Sequence, residues 1–413
     1  TVMISLASLM FFPQMFLKSF GYGGVAVVAI AIVGALIPLP AILALLGTKI
    51  DKFVVRKSAI TPKEDGRWAH TARFVMKRPV AVVFLSLLIL GTIASPIKDI
   101  VFSQVDTRVL PASDKAAIAA KVGQDKFPGE QANPVEIVIP NGTTKMVDIN
   151  SFVSDLANVP GIINIGAPET VGSDVRIAAI HSMSARSPEA ENMIIKIREL
   201  KVPEGTLVGG VAADYADSQI GIAKKLPLAL GWIAIGTLLL LFMFTGSIIL
   251  PIKALILNLL SLSATLGAMT WIFIGDNLTW LVGSFTNTGS IDTSIVILIA
   301  VVAFGLSMDY EVFLLSRIKE EHDAGHSNIE SVALGLQKSA RIITAAAVIL
   351  SVVFAIFVTS GVTSIKAMGF GVAFAILLDA TLVRALLVPA LMRLFGERNW
   401  WAPKALKRFT ISH

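Results

Sequence analysis

The sequence contains no cysteine and few charged residues. The absence of cysteine excludes disulfide cross-links and thiolate metal sites. Only 15% of the 413 residues are charged, whereas a soluble chain of this length carries about a quarter. Apolar residues make up 54% and the mean hydropathy is +0.75, an excess that only lipid can cover. These proportions exclude an ordinary soluble globular protein, a disordered chain and a small disulfide-built secreted module.

Residues that commonly carry enzymatic chemistry are also sparse. The five histidines are scattered, and the hydrophilic stretch between Ile97 and Leu226 has no nucleophile, metal or phosphate signature. We therefore expect a protein that is not an enzyme and that uses no cofactor or metal ion. The net charge is +6, but the basic residues lie between apolar runs instead of forming one stripe, so no nucleic acid partner is expected.

Long apolar runs recur along the chain, and each is long enough to cross about 30 Å of lipid as a helix. They are Val25–Leu46, Val80–Ile97, Leu226–Phe244, Ala254–Ile274, Ser294–Leu315, Ile342–Thr359 and Ala367–Phe395. An earlier run, from Val2 to Phe16, is shorter and contains Pro13, and we interpret it as a helix cut at its start. The runs predict a membrane all-α helical bundle.

Lysine and arginine are distributed unevenly among the connections between these runs. They are frequent in 48–79, in 316–341 and after Leu391, whereas 275–293 has none. Because basic loops stay on the cytoplasmic side of a membrane, these three segments are predicted to be cytoplasmic. The hydrophilic 98–225 segment then lies outside the membrane on the opposite side.

The 98–225 segment shows alternating strand and helix patterns. Strands are predicted at Val135–Ile139, Gly161–Ile165, Val175–His181 and Thr206–Val211, and helices at Val147–Val159 and Ser187–Leu200. This β-α-β-β-α-β order is that of a ferredoxin-like unit, so we expect one α+β extracytoplasmic domain. The stretch from Asp214 to Lys225 is expected to continue as a helix into the next span.

A weak internal repeat relates the two ends of the chain. Residues 18–23 resemble 366–371, and Pro40, Ala41 and Gly47 match Pro389, Ala390 and Gly396. Internally repeated bundles are typical of transporters. The repeat predicts that further helices and a second outer domain precede Thr1.

Ionisable residues inside the apolar runs are the strongest functional signal. Asp309 follows an uncharged stretch from Ser294 to Met308. A charge at the centre of a spanning helix costs about 2.5–3.5 kcal/mol, so it faces protein or water and usually marks an ion or proton path. Tyr310 can donate to this carboxylate or pass a proton on. The alternative is a salt bridge that only locks two helices together, and we favour the proton relay.

Other polar residues accompany this pair. Asp379 and Arg384 are five positions apart, a poor spacing for contact within one α-helix, so each is expected to pair with a neighbouring helix. For Arg384, snorkelling to the cytoplasmic side remains an alternative. Glu311 is interpreted as an interfacial charge. Gly305 and Ser307 are expected to allow close helix packing beside the aspartate.

The stretch Phe304–Arg317, FGLSMDYEVFLLSR, resembles the MMPL family (mycobacterial membrane protein large) of the resistance-nodulation-division superfamily. The similarity extends to Ile343–Ala346, Asp379–Arg384, Leu387–Ala390 and, at the start of the outer domain, Asp106–Ala112. It covers nearly the whole chain.

The resemblance implies a bundle of twelve helices with two outer domains, which uses the proton-motive force to export lipids such as trehalose monomycolate. By motif match, Asp309 and Tyr310 are one of two Asp-Tyr pairs that relay protons between central helices. Asp379, Arg384 and Arg317 match positions in the same relay. The partner pair would lie in a first half that this chain lacks. Lipid, protons, that missing N-terminal half and envelope accessory proteins are the expected partners.

The resemblance also assigns each part of the chain, which would hold about eight of the twelve helices. Residues 1–47 would be the last two helices of the first transmembrane half, the first of them truncated, and 48–79 a cytoplasmic connection. Residues 80–97 would be a transmembrane helix, 98–225 an extracytoplasmic porter-like domain, 226–395 a five-helix transmembrane bundle and 396–413 a cytoplasmic tail. The expected location is the inner (plasma) membrane.

Two other functions remain open. The same scaffold could export small hydrophobic compounds instead of lipids. A non-transporting, sterol-sensing-like scaffold module could share the helices, but a scaffold needs no buried carboxylate at Asp309.

Overall fold

A computed structural model describes residues 1–47, 49, 66–127 and 129–403 of the chain. Within this described part, seven helical stretches are long and apolar enough to cross a membrane. They are Met15–Leu46, Pro79–Asp99, Val211–Thr245, Ile249–Phe273, Thr293–Asp323, Asn328–Thr359 and Thr363–Trp400. A shorter apolar helix, Val2–Phe11, precedes them and ends before Pro13. The expected membrane helical bundle is therefore confirmed.

The helices are numbered in chain order. They are α1 Val2–Ser8, α2 Met15–Leu36, α3 Pro38–Leu46, α4 Arg67–Lys77, α5 Pro79–Ala94, α6 Lys115–Lys126, α7 Met146–Ala157, α8 Pro188–Glu199, α9 Val211–Thr245, α10 Ile249–Phe273, α11 Thr279–Val282, α12 Thr293–Asp323, α13 Asn328–Ile356, α14 Thr363–Leu378 and α15 Val388–Phe395. A π-helical segment, Asp379–Leu387, joins α14 to α15.

Several helices begin earlier than the apolar runs that revealed them. Helix α2 begins at Met15 where Val25 was expected, and α13 begins at Asn328 where Ile342 was expected. Hydropathy detects only the part of a helix that faces lipid, whereas backbone hydrogen bonding continues through polar residues. The predicted 48–79 connection contains helix α4, while residues 48 and 50–65 lie outside the described part, as do 404–413 of the predicted tail.

Helix α12 lies at the centre of the bundle. It packs against α1, α9, α10, α13 and α14, and most of its apolar stretch is buried. Helices α2 and α3, in contrast, are exposed along nearly their whole length, with Ile30, Leu36 and Leu45 among the most exposed side chains. Among the seven spans of the described part, the one formed by α12 therefore has the largest buried share.

The close packing of α12 and α13 depends on Gly335. A Cβ atom at this position would lie 2.8 Å from the Cα and the backbone N of Ile318, and backbone atoms cannot move aside cheaply. We expect Gly335→Ala to lower the free energy of unfolding by about 1–3 kcal/mol. Denaturant titration in detergent micelles measures this change. Gly231→Ala in α9 is the control, since nothing lies within 4 Å of its added Cβ, and equal stability loss in both variants would contradict the packing.

The outer domain contains a five-stranded antiparallel sheet, in which four strands follow the order β3-β5-β2-β6 and β4 pairs with β5. The strands are β1 Phe102–Ser103, β2 Val135–Ile139, β3 Ile162–Ile165, β4 Glu169–Val171, β5 Asp174–His181, β6 Leu207–Gly209 and β7 Ile291–Asp292. Alternate residues of β2 are buried beneath α7 and α8, as a one-sided sheet requires. Together with α7 and α8, these strands form the predicted ferredoxin-like unit. Strand β4, which pairs with β5, was not predicted.

The outer domain is connected to the bundle in two places. Helix α9 runs without interruption from the domain into the membrane, as expected for 214–225. Strand β1 pairs in parallel with β7, directly before α12. Asp292 caps α12 by accepting from the backbone N of Ile295 (2.9 Å) and also accepts from the backbone N of Val105 (2.7 Å). Burial raises the pKa of the Asp292 carboxyl group. The start of the central helix is therefore hydrogen-bonded to the outer domain.

The two ends of the proposed repeat share a local conformation. Gly47 ends α3 with φ 48° and ψ −134°, and Gly396 ends α15 with φ 53° and ψ −135°. Positive φ favours glycine at both positions. The helix before each also contains the matched Pro-Ala pair, which supports the interpretation of an internal duplication.

Candidate functional site

Arg384 is the centre of a buried polar cluster. Its side chain is 2% exposed, and its Nη2 lies 2.6 Å from Oδ2 of Asp379. The same nitrogen donates to the backbone carbonyl of Ser307 on α12 and, at 3.2 Å, to its hydroxyl. The guanidinium carbon lies 5.0 Å from the centre of the Tyr310 ring, a cation–π contact. The cluster thus joins the π-helical segment to the central helix.

The direct contact between Asp379 and Arg384 corrects the expectation that each would pair with another helix. That expectation assumed an α-helix, in which residues five apart point in different directions. Residues 379–387 instead form a π-helix, whose hydrogen bonds join residues i and i+5 and therefore bring these two side chains together. Pro389, just after this segment, lacks a backbone N–H, and such an interruption favours a local change of helix type.

Asp309 lies next to this cluster in sequence but on a more open face of α12. Half of its side chain is exposed, and it accepts a hydrogen bond from the hydroxyl of Thr1. It is about 24 Å along the helix from Thr293, at 1.5 Å per residue. A Cβ at Gly305 would lie 3.2 Å from the Cα of Val2, so this glycine brings α1 close to the same face.

Glu311 is buried and not an interfacial charge, which corrects the sequence interpretation. Its side chain is 6% exposed and lines a small cavity of about 10 Å³, which Lys253 of α10 also lines. That volume is close to the minimum for one water molecule. Glu311 is two residues after Asp309 on the helix and therefore points away from it, as expected. Its side chain packs against other parts of the protein instead of facing an interface.

Lys253 was missed in the sequence because it directly precedes the apolar run that starts at Ala254. Its ammonium group donates to the Oδ1 of Asn399 and lies 5.1 Å from the centre of the Phe395 ring. Asn399 is itself fully buried and donates to the backbone carbonyl of Met392 at 2.8 Å. A lysine at the very start of an apolar run, in a chain with few charges, is a signal that could have been used.

Arg317 is not part of the buried cluster. Its side chain is 44% exposed, forms an ion pair with Glu320 at 2.7 Å and lies over the ring of Phe313 at 5.6 Å. The structure therefore brings together Ser307, Tyr310, Asp379 and Arg384, with Asp309, Gly305 and Glu311 on adjoining faces of α12. A part for Arg317 in the same chemistry stays a prediction from the motif match.

The cluster has a chemical property that a simple lock between helices does not need. The Nε and Nη1 atoms of Arg384 are buried and have no hydrogen-bond partner among the described residues. Within the described part, one carboxylate, one carbonyl and one hydroxyl thus accept from a guanidinium with five N–H groups. Protonation of Asp379 would remove the negative charge that forms the ion pair with Arg384, so proton binding would change how α12 and the π-helical segment are held together. Within the described part of the chain, no group of three or more acidic or histidine residues could hold a metal ion.

Comparison with known proteins identifies the family. The MMPL family matches residues 166–410. A relative from Streptomyces coelicolor named as a membrane protein, SCO6666, is 36% identical over 414 residues, which cover 99% of this chain and 56% of that protein. The trehalose monomycolate exporter MmpL3 of Mycobacterium tuberculosis is 32% identical, over 98% of this chain and 48% of the exporter. MmpL11 of Mycolicibacterium smegmatis, named as an exporter of mycolic acid-containing lipids, is 27% identical, over 99% and 44%.

The chain belongs to the MMPL family, as its motifs predicted, and is a multi-pass inner-membrane protein. It spans about half the length of the curated relatives that it matches.

Proposed function

We propose that this chain forms the part of a proton-driven lipid exporter that contains one half of its proton relay. The observation that carries the proposal is the buried contact of Arg384 with Asp379, Ser307 and Tyr310 at the centre of the bundle. Taking charges out of water is expensive, and hydrophobic residues of similar volume often stabilise a protein equally well. Charges retained within membrane spans are typical of proton and ion pathways.

Because half of the Asp309 side chain is exposed, we infer that a second protein surface covers this face of α12. A carboxylate at this depth, open to lipid, would be strongly unfavourable. A matching helix that carries its own Asp-Tyr pair would cover it and provide the next proton acceptor. An N-terminal half of the same transporter, which the internal repeat predicts, is the partner that we propose for this role.

We propose a lipid or glycolipid of the trehalose monomycolate type as substrate. The support comes from the relatives, whose names describe exporters of trehalose monomycolate and of mycolic acid-containing lipids. The direction would be from the inner membrane to the cell envelope, with the 98–225 domain extracytoplasmic, as the basic connections favour. Each proton that crosses 100 mV supplies about 2.3 kcal/mol, so a few steps could move a headgroup through the protein.

The substrate is tested by mass spectrometry of lipids that copurify with the complete protein. Enrichment of a long-chain glycolipid over the bulk membrane lipids is expected. The purified protein and the enriched lipid are then reconstituted together into vesicles. Movement of the lipid across the vesicle membrane is followed with and without a protonophore. We expect the protonophore to stop net movement, since the driving force is lost.

The two alternative functions give different results in the same vesicles. Efflux of small hydrophobic compounds predicts proton-dependent movement of a fluorescent dye and no enriched lipid. A scaffold predicts neither lipid nor dye movement. Either outcome would overturn the proposed lipid export.

A further inference from the structure

Helix α4 has one face buried in the bundle and one face open. Ala69, Ala72, Val75 and Met76 are all at most 4% exposed, and three of them belong to the main core of the membrane bundle. The helix is also held by polar contacts to α13. Arg73 forms an ion pair with Glu330 at 2.8 Å. The backbone N of Ala69 donates to the side chain of Gln337 at 3.0 Å.

The open face combines positive charge with one large apolar ring. Arg67, Phe74 and Lys77 lie on the same side of the helix by their spacing, and Arg78 follows immediately. The Phe74 side chain is 74% exposed. Among the residues that the structure describes, none of the three cations has a carboxylate partner. Their charge is therefore available to a ligand outside the chain.

This face lies where the chain enters the membrane. Helix α4 ends at Lys77, and the spanning helix α5 begins at Pro79. Phe74 is five residues before that start, within about 8 Å at helical rise. Aromatic rings and basic side chains are both favoured at this level, where the ring reaches the acyl boundary and the cations reach the headgroups.

We propose that the open face of α4 docks on anionic phospholipid headgroups, with the Phe74 ring inserted at the boundary between headgroups and acyl chains. Charge complementarity selects this occupant, since three cations without a carboxylate partner in the described part lie around a single apolar side chain. The buried face of α4 lies in the same core as Leu387 of the π-helical segment. The proposed headgroup site therefore lies beside the candidate site, and it does not depend on the proposed proton relay.

The absence of cysteine permits a direct measurement of depth. A single Phe74→Cys substitution in the full chain is labelled with a nitroxide, and collisions with oxygen and with a water-soluble nickel reagent are compared. In phosphatidylglycerol vesicles we expect high oxygen and low nickel accessibility at position 74. Ala324→Cys, in the exposed turn after α12, is the aqueous control and should show the reverse.

The charge is tested in the same labelled protein by replacing Arg67, Lys77 and Arg78 together with glutamine. The preference for phosphatidylglycerol over phosphatidylcholine should fall roughly a hundredfold, because each of the three cations contributes about fivefold near an anionic surface. Nickel accessibility at position 74 equal to that at 324 would overturn the proposal. Equal insertion in both lipids would also overturn it, because anionic headgroups would then not be the occupant.

Discussion

Replacing Arg384 with methionine is expected to destabilise the complete protein by about 3–5 kcal/mol. The change leaves the Asp379 carboxylate buried without its ion-pair partner, and breaking a buried pair from one side carries this cost. It also removes the contacts with Ser307 and Tyr310 that hold α12. Denaturant titration of the purified protein in detergent measures the loss of stability.

A double variant separates the structural role of this pair from its role in transport. Asp379→Leu combined with Arg384→Met replaces both charges by apolar side chains of similar volume, and most of the lost stability should return. Lipid movement should remain absent, because the groups that respond to protons are gone. A stable Arg384→Met variant would contradict the buried pair. A double variant that still transports would remove the pair from the relay.

Replacing Asp309 with asparagine is expected to abolish coupling while leaving the fold intact. The side chain is half exposed in this chain and keeps its size, so the free energy of unfolding should change little. The carboxyl group that binds the proton is lost. At 100 mV, loss of one coupled proton removes about 2.3 kcal/mol, or about fiftyfold in the steady-state distribution of lipid. Lipid asymmetry across vesicles containing the variant measures the effect.

Asp323→Asn is the matched control for this variant. It makes the same chemical change on the same helix, at an exposed residue paired with Lys319. Its lipid distribution should equal that of the unmodified protein. If both aspartates gave the same modest loss, the effect would come from net charge and not from a relay.

Much of the fold could be predicted because its signals are local. The apolar runs located the spans, and the short β-branched run Val135–Ile139 located a strand of the outer domain. The starts of α2 and α13 were missed because polar residues such as Lys18 and Asn328 continue helices beyond the lipid-facing part. Strand β4 was missed because three exposed residues carry no burial pattern.

The residues of the candidate site could be predicted from the sequence, but the contacts between them could not. Asp309, Tyr310, Asp379 and Arg384 were identified because charged and polar groups are rare within apolar runs. The contact between Asp379 and Arg384 depends on a π-helical segment, which hydropathy and spacing do not reveal. The burial of Glu311 beside Lys253 depends on how α10 packs on α12, a tertiary property that residue spacing on one helix cannot give.

We propose that Asp309 and the neighbouring Arg384 cluster carry protons in step with lipid. The most direct test of this proposal is proton flow into vesicles that contain the complete protein, substrate lipid and a trapped pH-sensitive dye, under an imposed membrane potential. Substrate-dependent acidification is predicted for the unmodified protein and for Asp323→Asn, and none above background for Asp309→Asn. Equal acidification in the Asp309→Asn variant would contradict the account.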